Sequence, residues 1–323
     1  MLKINIWRNQ NNENSKKELP MTNKIHVINR TSKYKNQDSS QKNTTADVLR
    51  ELNSLVGLKC VKKLINEVYA FVEIQKRRQK EQLATEPLSL HMVFKGNPGT
   101  GKTTVARIIG KLFKELGVLS KGHLVEVERA DLVGEYIGHT AQRTKEQIRK
   151  ALGGILFIDE AYSLARGGEK DFGKETIDTL VKSIEDQKDK MILILAGYRE
   201  EMEWFTETNP GLRSRIPIVI NFPDYSISEL MSIGNLMLEQ RQYLFSPGAT
   251  EEMRIILEKE AKTHRHSGNA RLVRNLVERA IRCQAVRLVK MPDKEVGRKE
   301  LMYIKREDIK IAESITKGAN NCT

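Results

Sequence analysis

The chain has few cysteines and no long apolar run, and each absence excludes a class of protein. Only three of its 323 residues are cysteines, and none forms a CxxC pair. This excludes a disulfide-stapled scaffold and a thiolate zinc site, and it is typical of a reducing compartment. No stretch approaches the ~20 apolar residues of a membrane span, and no apolar run typical of a secretory signal opens the chain. We therefore expect a cytoplasmic protein with no membrane partner.

The positive charge is concentrated near the start of the chain. The formal net charge is +13, and residues 1–46 hold nine Lys or Arg against three acids, so 9 − 3 = +6 belongs to them and +13 − 6 = +7 to the rest. This segment is rich in Asn, Ser and Gln and poor in apolar residues. It cannot bury enough surface to offset its ordering entropy, so we predict a disordered basic tail. A tail that docks on a partner or on nucleic acid is the alternative that the sequence leaves open.

Short apolar runs alternate with helical patterns in the first two thirds of the remaining chain. The runs cover residues 91–95, 123–127, 154–158, 191–196 and 216–222. Strands separated by helices predict right-handed crossovers and a mainly parallel sheet sandwiched by helices. After Pro223 only helical periodicity recurs. We therefore predict an α/β subdomain at 47–223, a small all-α lid subdomain at 224–315 and a C-terminal tail at 316–323.

The strongest motif follows the first predicted strand. Residues 96–103, called the phosphate loop below, read GNPGTGKT, which is the GxxxxGK[ST] pattern between a strand and a helix. Glycines let backbone N–H groups turn toward a phosphate, and the following helix adds its positive N-terminus. Lys102 supplies a mobile charge for the β- and γ-phosphates, and Thr103 offers a hard oxygen to Mg²⁺. The predicted ATP-binding residues here are Asn97, Pro98, Gly99, Thr100, Gly101, Lys102, Thr103 and Thr104.

A second motif ends the third predicted strand, where the apolar residues 155–158 are followed by Asp159 and Glu160. Asp159 is predicted to hold Mg²⁺, and Glu160 to polarise the attacking water as a general base. The motif lies 57 residues after Lys102 (159 − 102), with one intervening strand, which leaves room for a sheet order that brings both strand ends to one edge. The two motifs predict an ATPase of the P-loop NTPase fold class, with ATP and Mg²⁺ as cofactors.

These motifs and their surroundings resemble the AAA+ ATPases. The segments that carry the resemblance are MVFKGNPGTGKTTVAR, RADLVGEYIGHTA, GGILFIDEAYSLARGGEKDFG, ILAGY, NPGLRSRIP and NARLVRN. They are most similar to the branch of stage V sporulation protein K and red-type rubisco activase, and the match runs from about residue 52 to residue 315. The resemblance implies an AAA+ module, in which a P-loop NTPase sheet is followed by a helical lid.

The resemblance also implies further nucleotide contacts. Val56 and Gly57 would border the adenine, although an ordinary helix–helix turn is the alternative. Arg271 matches the lid sensor that reaches the γ-phosphate, with Arg274 a weaker candidate. Tyr198 stands where the family usually has a polar sensor, often Asn. This departure leaves a sensor role and a purely structural role for Tyr198 equally open.

Two arginines before the last predicted strand imply a ring. In AAA+ rings an arginine at this position projects into the neighbouring subunit's site, and such a residue is worth ~10³–10⁵ in rate in related P-loop enzymes. Arg215, directly before Ile216-Pro217, matches this finger better than Arg213, for which a solvated surface position is the alternative. The implied partner is a second copy of the chain, in a homo-oligomeric ring that we expect to be a hexamer.

A loop after the second predicted strand matches the family's pore loop. It contains Tyr136, Ile137 and Gly138, and an aromatic ring grips an extended chain through contact area while glycine lets the loop move. A buried tyrosine that anchors the loop is the alternative. Residues 166–170 form a second candidate pore loop.

The sequence thus predicts an ATP-driven ring that remodels a protein client. The resemblance points to a sporulation-related client or to activation of a carboxylase, and the residues do not distinguish them. A nucleic-acid-associated loader or initiator is the alternative from another class. Its only support is the +13 charge, and the chain has no zinc finger, helix-turn-helix or RNP-like motif, so nucleic acid is disfavoured as a partner.

Overall fold

The computed structural model describes residues 44–85, 89–134, 136, 138–167, 171–263, 268–292 and 296–318, which belong to one compact unit. The predicted N-terminal tail lies outside these residues as far as residue 43, and so does the predicted C-terminal tail from residue 319. Among the described residues, no helix combines the length and the apolarity that crossing a bilayer requires.

The α/β subdomain contains a five-stranded sheet whose strands are all parallel. Its strands are β1 (Met92–Gly96), β2 (Leu124–Val127), β3 (Ile155–Ile158), β4 (Ile192–Gly197) and β5 (Ile218–Phe222). The strand order is β2-β3-β4-β1-β5, with Met92 opposite both Ile194 and Ile218. β4 therefore lies between the strand before the phosphate loop and the strand before the two acids. The carboxyl ends of β1, β4 and β3 are neighbours at one edge.

Helices cover both faces of this sheet. They are α1 (Thr45–Ser54), α2 (Lys59–Lys80), α3 (Lys102–Glu115), α4 (Arg129–Leu132), α5 (His139–Ala151), α6 (Gly173–Asp186), α7 (Arg199–Thr208) and α8 (Pro210–Arg215), with a 3₁₀ helix at Ala161–Ala165. Successive residues of β1 face opposite cores: Phe94 packs in one with α2 and α3, and Val93 in the other with α5 and α6. Burial on both faces explains why the central strands are continuously apolar.

The first helix starts inside the segment predicted as tail. Thr44 and Asp47 form a reciprocal capping box, in which the Thr44 side chain accepts from the Asp47 amide and the Asp47 carboxylate accepts from the Thr44 amide at 3.0 Å. Such a cap satisfies backbone donors that the first turn leaves unpaired. The helix consequently begins at Thr45, two residues before the predicted boundary.

The second subdomain is the predicted helical lid. Its helices are α9 (Ile227–Glu239), α10 (Pro247–Thr263), α11 (Asn269–Val289), α12 (Arg298–Met302) and α13 (Arg306–Gly318). Two short parallel strands that the sequence did not predict, β6 (Leu244–Phe245) and β7 (Tyr303–Ile304), add to it. Two residues are too few to show alternation in a sequence. The predicted fold class, a P-loop NTPase sheet sandwiched by helices with a helical lid, is confirmed.

Candidate nucleotide site

A cleft lies at the carboxyl ends of β1, β3 and β4, where the lid helix α11 begins. Its lining residues are Gly96, Pro98, Gly99, Gly101, Lys102, Thr103, Thr104, Asp159, Glu160, Gly197, Tyr198, Ala270, Arg271 and Arg274. The structure thus brings together most of the residues that the two nucleotide motifs and the lid motif single out. A cleft at the carboxyl edge of a parallel sheet is where ligands bind in open α/β folds.

The phosphate loop owes its shape to glycine at two positions. Gly99 has φ 74° and Gly101 has φ 96°, in the left-handed region that glycine occupies at no steric cost. A Cβ atom at Gly99 would also overlap the carbonyl oxygen of Gly268 in the lid. Asn97 and Thr100 are not among the residues that line the cleft. They stabilise the conformation of the loop through hydrogen bonds. The Thr100 hydroxyl donates to the Asn97 carbonyl at 2.7 Å, and the Asn97 amide donates to Asp224 at 2.9 and 3.0 Å.

Lys102 bonds to the loop that it follows. Its Nζ donates to the carbonyl oxygens of Gly96 and Asn97 at 2.8 and 2.9 Å. Burial lowers the pKa of Lys102, and the nearby Arg271 guanidinium lowers it further, whereas Asp159 and Glu160 act in the opposite direction. Two cations therefore converge on one cleft, where an anion would relieve their repulsion.

The two acids leave β3 with an unusual backbone. Glu160 has φ 48°, a left-handed conformation that is uncommon for residues other than glycine. Its backbone N–H donates to the Asp159 carboxylate at 3.0 Å. Asp159 is half-buried and Glu160 is exposed, and both line the cleft. Such conformations cluster at functional sites, where the surrounding structure maintains them.

The predicted Mg²⁺ ligands are Thr103 and Asp159, which line the same cleft. Within the described part of the chain, no group of three or more His, Cys, Asp or Glu residues gathers around a cation-sized space. Mg²⁺ needs no such group, because proteins often bind it through one or two carboxylates together with substrate phosphates. Thr103 and Asp159 fit that mode. The Thr103 hydroxyl also donates to Glu126 of β2 at 3.4 Å, a contact that the strand pattern alone does not reveal.

Tyr198 lies between the two motifs, because it directly follows β4 and precedes α7. It lines the cleft, and its ring packs against the ring of Tyr162 with centroids 6.1 Å apart.

Arg271 and Arg274 approach the same cleft from the lid helix. Val56 and Gly57 are not among the lining residues. A Cβ at Gly57 would overlap Glu229 of α9, so this turn contacts the first helix of the lid.

Arg213 and Arg215 lie at the other edge of the sheet. They end α8 just before β5, and β5 runs parallel to β1. They therefore lie at the amino edge, away from the cleft. The Arg215 guanidinium bonds Glu185 through Nη2 at 2.6 Å and through Nε at 3.0 Å. Arg213 is exposed and lines a separate groove with Lys95.

Tyr136 is solvent-exposed in the candidate pore loop, with 66% of its surface accessible. This exposure excludes the alternative of a buried anchor. The edge of its ring packs on His139, with centroids 5.5 Å apart. Gly138 has φ 84° and precedes α5, whereas Ile137 lies outside the described residues. In the second candidate loop, Arg166 bonds Glu201 at 2.8 Å, and residues 168–170 are outside the described residues.

Three residues next to the cleft escaped sequence reasoning: Asp224, Tyr225 and Asn269. The Asn269 amide donates to Asp224 at 2.8 Å and accepts from the Tyr225 backbone N–H at 3.0 Å. Two of them follow Pro223 at the subdomain boundary, and Asn269 opens the NAR motif. In the sequence, only their position at the junction of the two predicted subdomains could have indicated that these residues lie near the nucleotide site.

Two family models together match most of the described chain. Residues 92–224 match the ATPase family associated with various cellular activities (AAA), and residues 226–319 match an AAA lid domain. Stage V sporulation protein K of Bacillus subtilis is 54% identical over 84% of this chain and 85% of its own. Protein CbbX of Cereibacter sphaeroides is 46% identical over 84% of this chain and 88% of its own.

Two further similarities concern an activase and a solved motor structure. The chloroplastic ribulose bisphosphate carboxylase/oxygenase activase of Cyanidioschyzon merolae is 44% identical over 81% of this chain and 90% of its own. The RuvB Holliday junction branch migration motor of Thermotoga maritima has a TM-score of 0.54 at 23% identity, over 83% of this chain and 73% of that chain. The second similarity is one of fold alone.

Proposed function

The chain belongs to the AAA family of ATPases, and we propose that it assembles into a homo-oligomeric ring, a hexamer, that remodels a protein client with Mg²⁺-dependent ATP hydrolysis. As a member of this family it binds and hydrolyses ATP. The ring, its stoichiometry, the role of Mg²⁺ and the client are the proposed parts.

In this proposal each residue of the cleft has a separate role in ATP binding or hydrolysis. The phosphate loop and Lys102 hold the phosphates, and Glu160 orients and deprotonates the attacking water. Thr103 and Asp159 would hold Mg²⁺, which supplies neutralisation of phosphate charge. Tyr198 and Arg271 contact the nucleotide from β4 and from the lid. The adenine is bordered by the turn at Val56 and Gly57.

The position of Arg213 and Arg215 carries the proposal of a ring. β5 comprises five residues, and at about 3.3 Å per residue it separates these arginines from the carboxyl edge by roughly 16 Å. An arginine at the amino edge is too far from its own cleft to contact a phosphate there. The cleft of a neighbouring subunit is the site that it would serve, and a head-to-tail contact of this kind closes into a ring when the rotation allows. Of the two, Arg215 is our choice for this role.

Exposure of Tyr136 supports the remodelling activity. An accessible aromatic ring in a loop can bind an extended polypeptide through contact area, with little dependence on sequence. We expect Tyr136→Ala to retain ATP hydrolysis and to lose remodelling, because the side chain lies outside the cleft. The measurement is ATPase rate and client remodelling on the same preparation. Equal loss of both activities, or retention of both, contradicts the proposed role.

The relatives favour two kinds of client. The 54% identity to a sporulation protein favours a sporulation-related client, whereas the 44% identity to an activase favours a carboxylase. The two are distinguished with an inactive preparation of ribulose bisphosphate carboxylase/oxygenase as the test client. Recovery of carboxylase activity that requires ATP and Tyr136 supports the second candidate, and no recovery contradicts it. The similarity to a branch migration motor extends to the fold alone and gives nucleic acid no support.

A further inference from the structure

Three successive carbonyl groups of the phosphate loop accept hydrogen bonds from outside the loop. The donors belong to the lid helix α11 and to the hinge, which we define as residues 223–226 between the two subdomains. The bonds are Asn269 Nδ2 to Pro98 O at 3.4 Å, Ala270 N to Gly99 O at 3.2 Å, and Tyr225 Oη to Thr100 O at 3.2 Å. Carbonyls that are turned outward in this way leave the backbone N–H groups of the loop available to an anion.

The remaining carbonyls at the start of the loop are satisfied locally. Gly96 O and Asn97 O both accept from Lys102 Nζ, and Asn97 O also accepts from the Thr100 hydroxyl. The loop therefore has two sets of supports. One set lies within its own sequence, and the other comes from residues of the lid and the hinge.

Asn269 is the centre of the second set. Its side chain is buried, with 0% of the residue accessible, and its φ of 46° is in the left-handed region, where Asn is tolerated better than most residues. Besides Pro98 O, the amide bonds Asp224 and the Tyr225 backbone. A buried amide on the lid helix with partners on the loop and the hinge fixes the three relative to one another, because leaving such a group unpaired is costly.

Tyr225 provides a donor that persists across the physiological pH range. Its phenol is half-buried between the hinge and the loop, and burial raises the pKa of Tyr225 to about 12. The hydroxyl therefore stays protonated. A Cβ at Gly101 would lie 3.2 Å from this oxygen, which shows how closely the ring approaches the loop. Neither Tyr225 nor Asn269 is among the residues that line the cleft.

We propose that Tyr225 and Asn269 are positioning residues that hold the phosphate loop in its anion-binding conformation from outside the cleft. The affinity for ATP then depends on the position of the lid in two ways. Arg271 contacts the nucleotide directly, and the hydrogen bonds to the outward carbonyls hold the loop in the conformation that binds phosphate. By linkage, occupation of the loop by phosphate favours the docked lid to the same extent. Tyr225 and Asn269 act on ATP binding by the single chain, whether or not the chain forms a ring or has a protein client.

The test removes one hydroxyl from the full chain. Tyr225→Phe should weaken binding of a fluorescent ATP analogue about fivefold, which is the loss of one net hydrogen bond. The KM for ATP should rise by the same factor with kcat nearly unchanged. Amide hydrogen exchange of residues 97 and 99–103 should accelerate without nucleotide, while the melting temperature falls by no more than about 4 °C. Tyr243→Phe, which removes a phenol hydroxyl elsewhere in the lid, is the matched control and should change none of these values.

A second variant distinguishes the effect of the Asn269 side chain from the effect of its left-handed backbone conformation. Asn269→Gly retains the left-handed φ and removes the amide, so a larger loss of affinity, about tenfold or more, is expected together with faster exchange of the same loop amides. Unchanged affinity in Tyr225→Phe overturns the proposal. Weaker binding without any change in exchange of the loop amides overturns it as well, because the loop is then not what these residues hold.

Discussion

The two edges of the central sheet differ in whether a single chain supplies all the partners of the charged residues there. At the carboxyl edge, Lys102 bonds to the phosphate loop, the loop bonds to the lid helix and the hinge, and the two acids bond to each other. At the amino edge, Arg215 is held by Glu185, whose side chain is 64% exposed, and Arg213 is solvent-exposed. Exposed ion pairs contribute only about 0–1 kcal/mol. One edge therefore has a formed anion site. The other presents two arginines, of which Arg215 has one carboxylate partner, the exposed Glu185, and otherwise bonds to Gly211 O and the Ser214 hydroxyl of its own helix. This difference supports an active site that is divided between two copies.

The largest effect that we expect comes from the amino edge. Arg215→Ala should lower kcat by about 10³ or more, because it removes a cation that stabilises the transferring phosphoryl group. Binding of ATP to the single chain should persist, since Arg215 is not in its own cleft. Arg213→Ala is the matched control, and a surface substitution of this kind should change the rate by less than about threefold. A larger loss in Arg213→Ala than in Arg215→Ala would assign the finger to Arg213.

The corresponding variant at the carboxyl edge is Glu160→Gln. Loss of the general base should lower kcat by about 10²–10⁴ while nucleotide binding is retained, because the amide preserves the shape of the side chain. Single-turnover kinetics and binding of a fluorescent ATP analogue measure the two properties separately. Glu115→Gln, an exposed acid at the end of α3, serves as the control. Turnover close to that of the unmodified chain would remove Glu160 from the chemistry.

Local patterns were sufficient to predict the fold and the carboxyl edge. The five strands lie within two residues of the predicted runs, since alternation of apolar strands and helices is a property of neighbouring residues. The phosphate loop and the acids were predicted because each motif is continuous in sequence. The two-residue strands β6 and β7 were missed because they are shorter than any period that a sequence can show.

Contacts between distant residues could not be predicted. Tyr225 and Asn269 bond to loop residues that are 125 and 171 positions away in the sequence. The Arg215–Glu185 pair spans 30 positions. No periodicity connects such residues, because tertiary packing alone brings them together. The exposure of Tyr136 belongs to the same class, and the loop sequence was compatible with both a buried and an accessible ring.

The smallest effect that we expect concerns the restraint on Arg215. Glu185→Gln should leave the melting temperature almost unchanged and alter kcat by less than about fivefold, because the ion pair is exposed and weak. Thermal unfolding and steady-state ATPase rates measure both quantities. A loss as large as that of Arg215→Ala would contradict this account, since it would mean that Glu185 takes part in hydrolysis itself.

The division of the active site between two copies is tested most directly by mixing Glu160→Gln with Arg215→Ala, each of which we expect to retain about 1% or less of the activity alone. In a randomly mixed ring, an intact Glu160 meets an intact Arg215 from the neighbour at about a quarter of the interfaces. We therefore predict that ATPase activity recovers to about a quarter of the unmodified rate, with co-assembly checked by crosslinking. Activity that stays at the sum of the two separate variants in co-assembled rings would contradict the shared site.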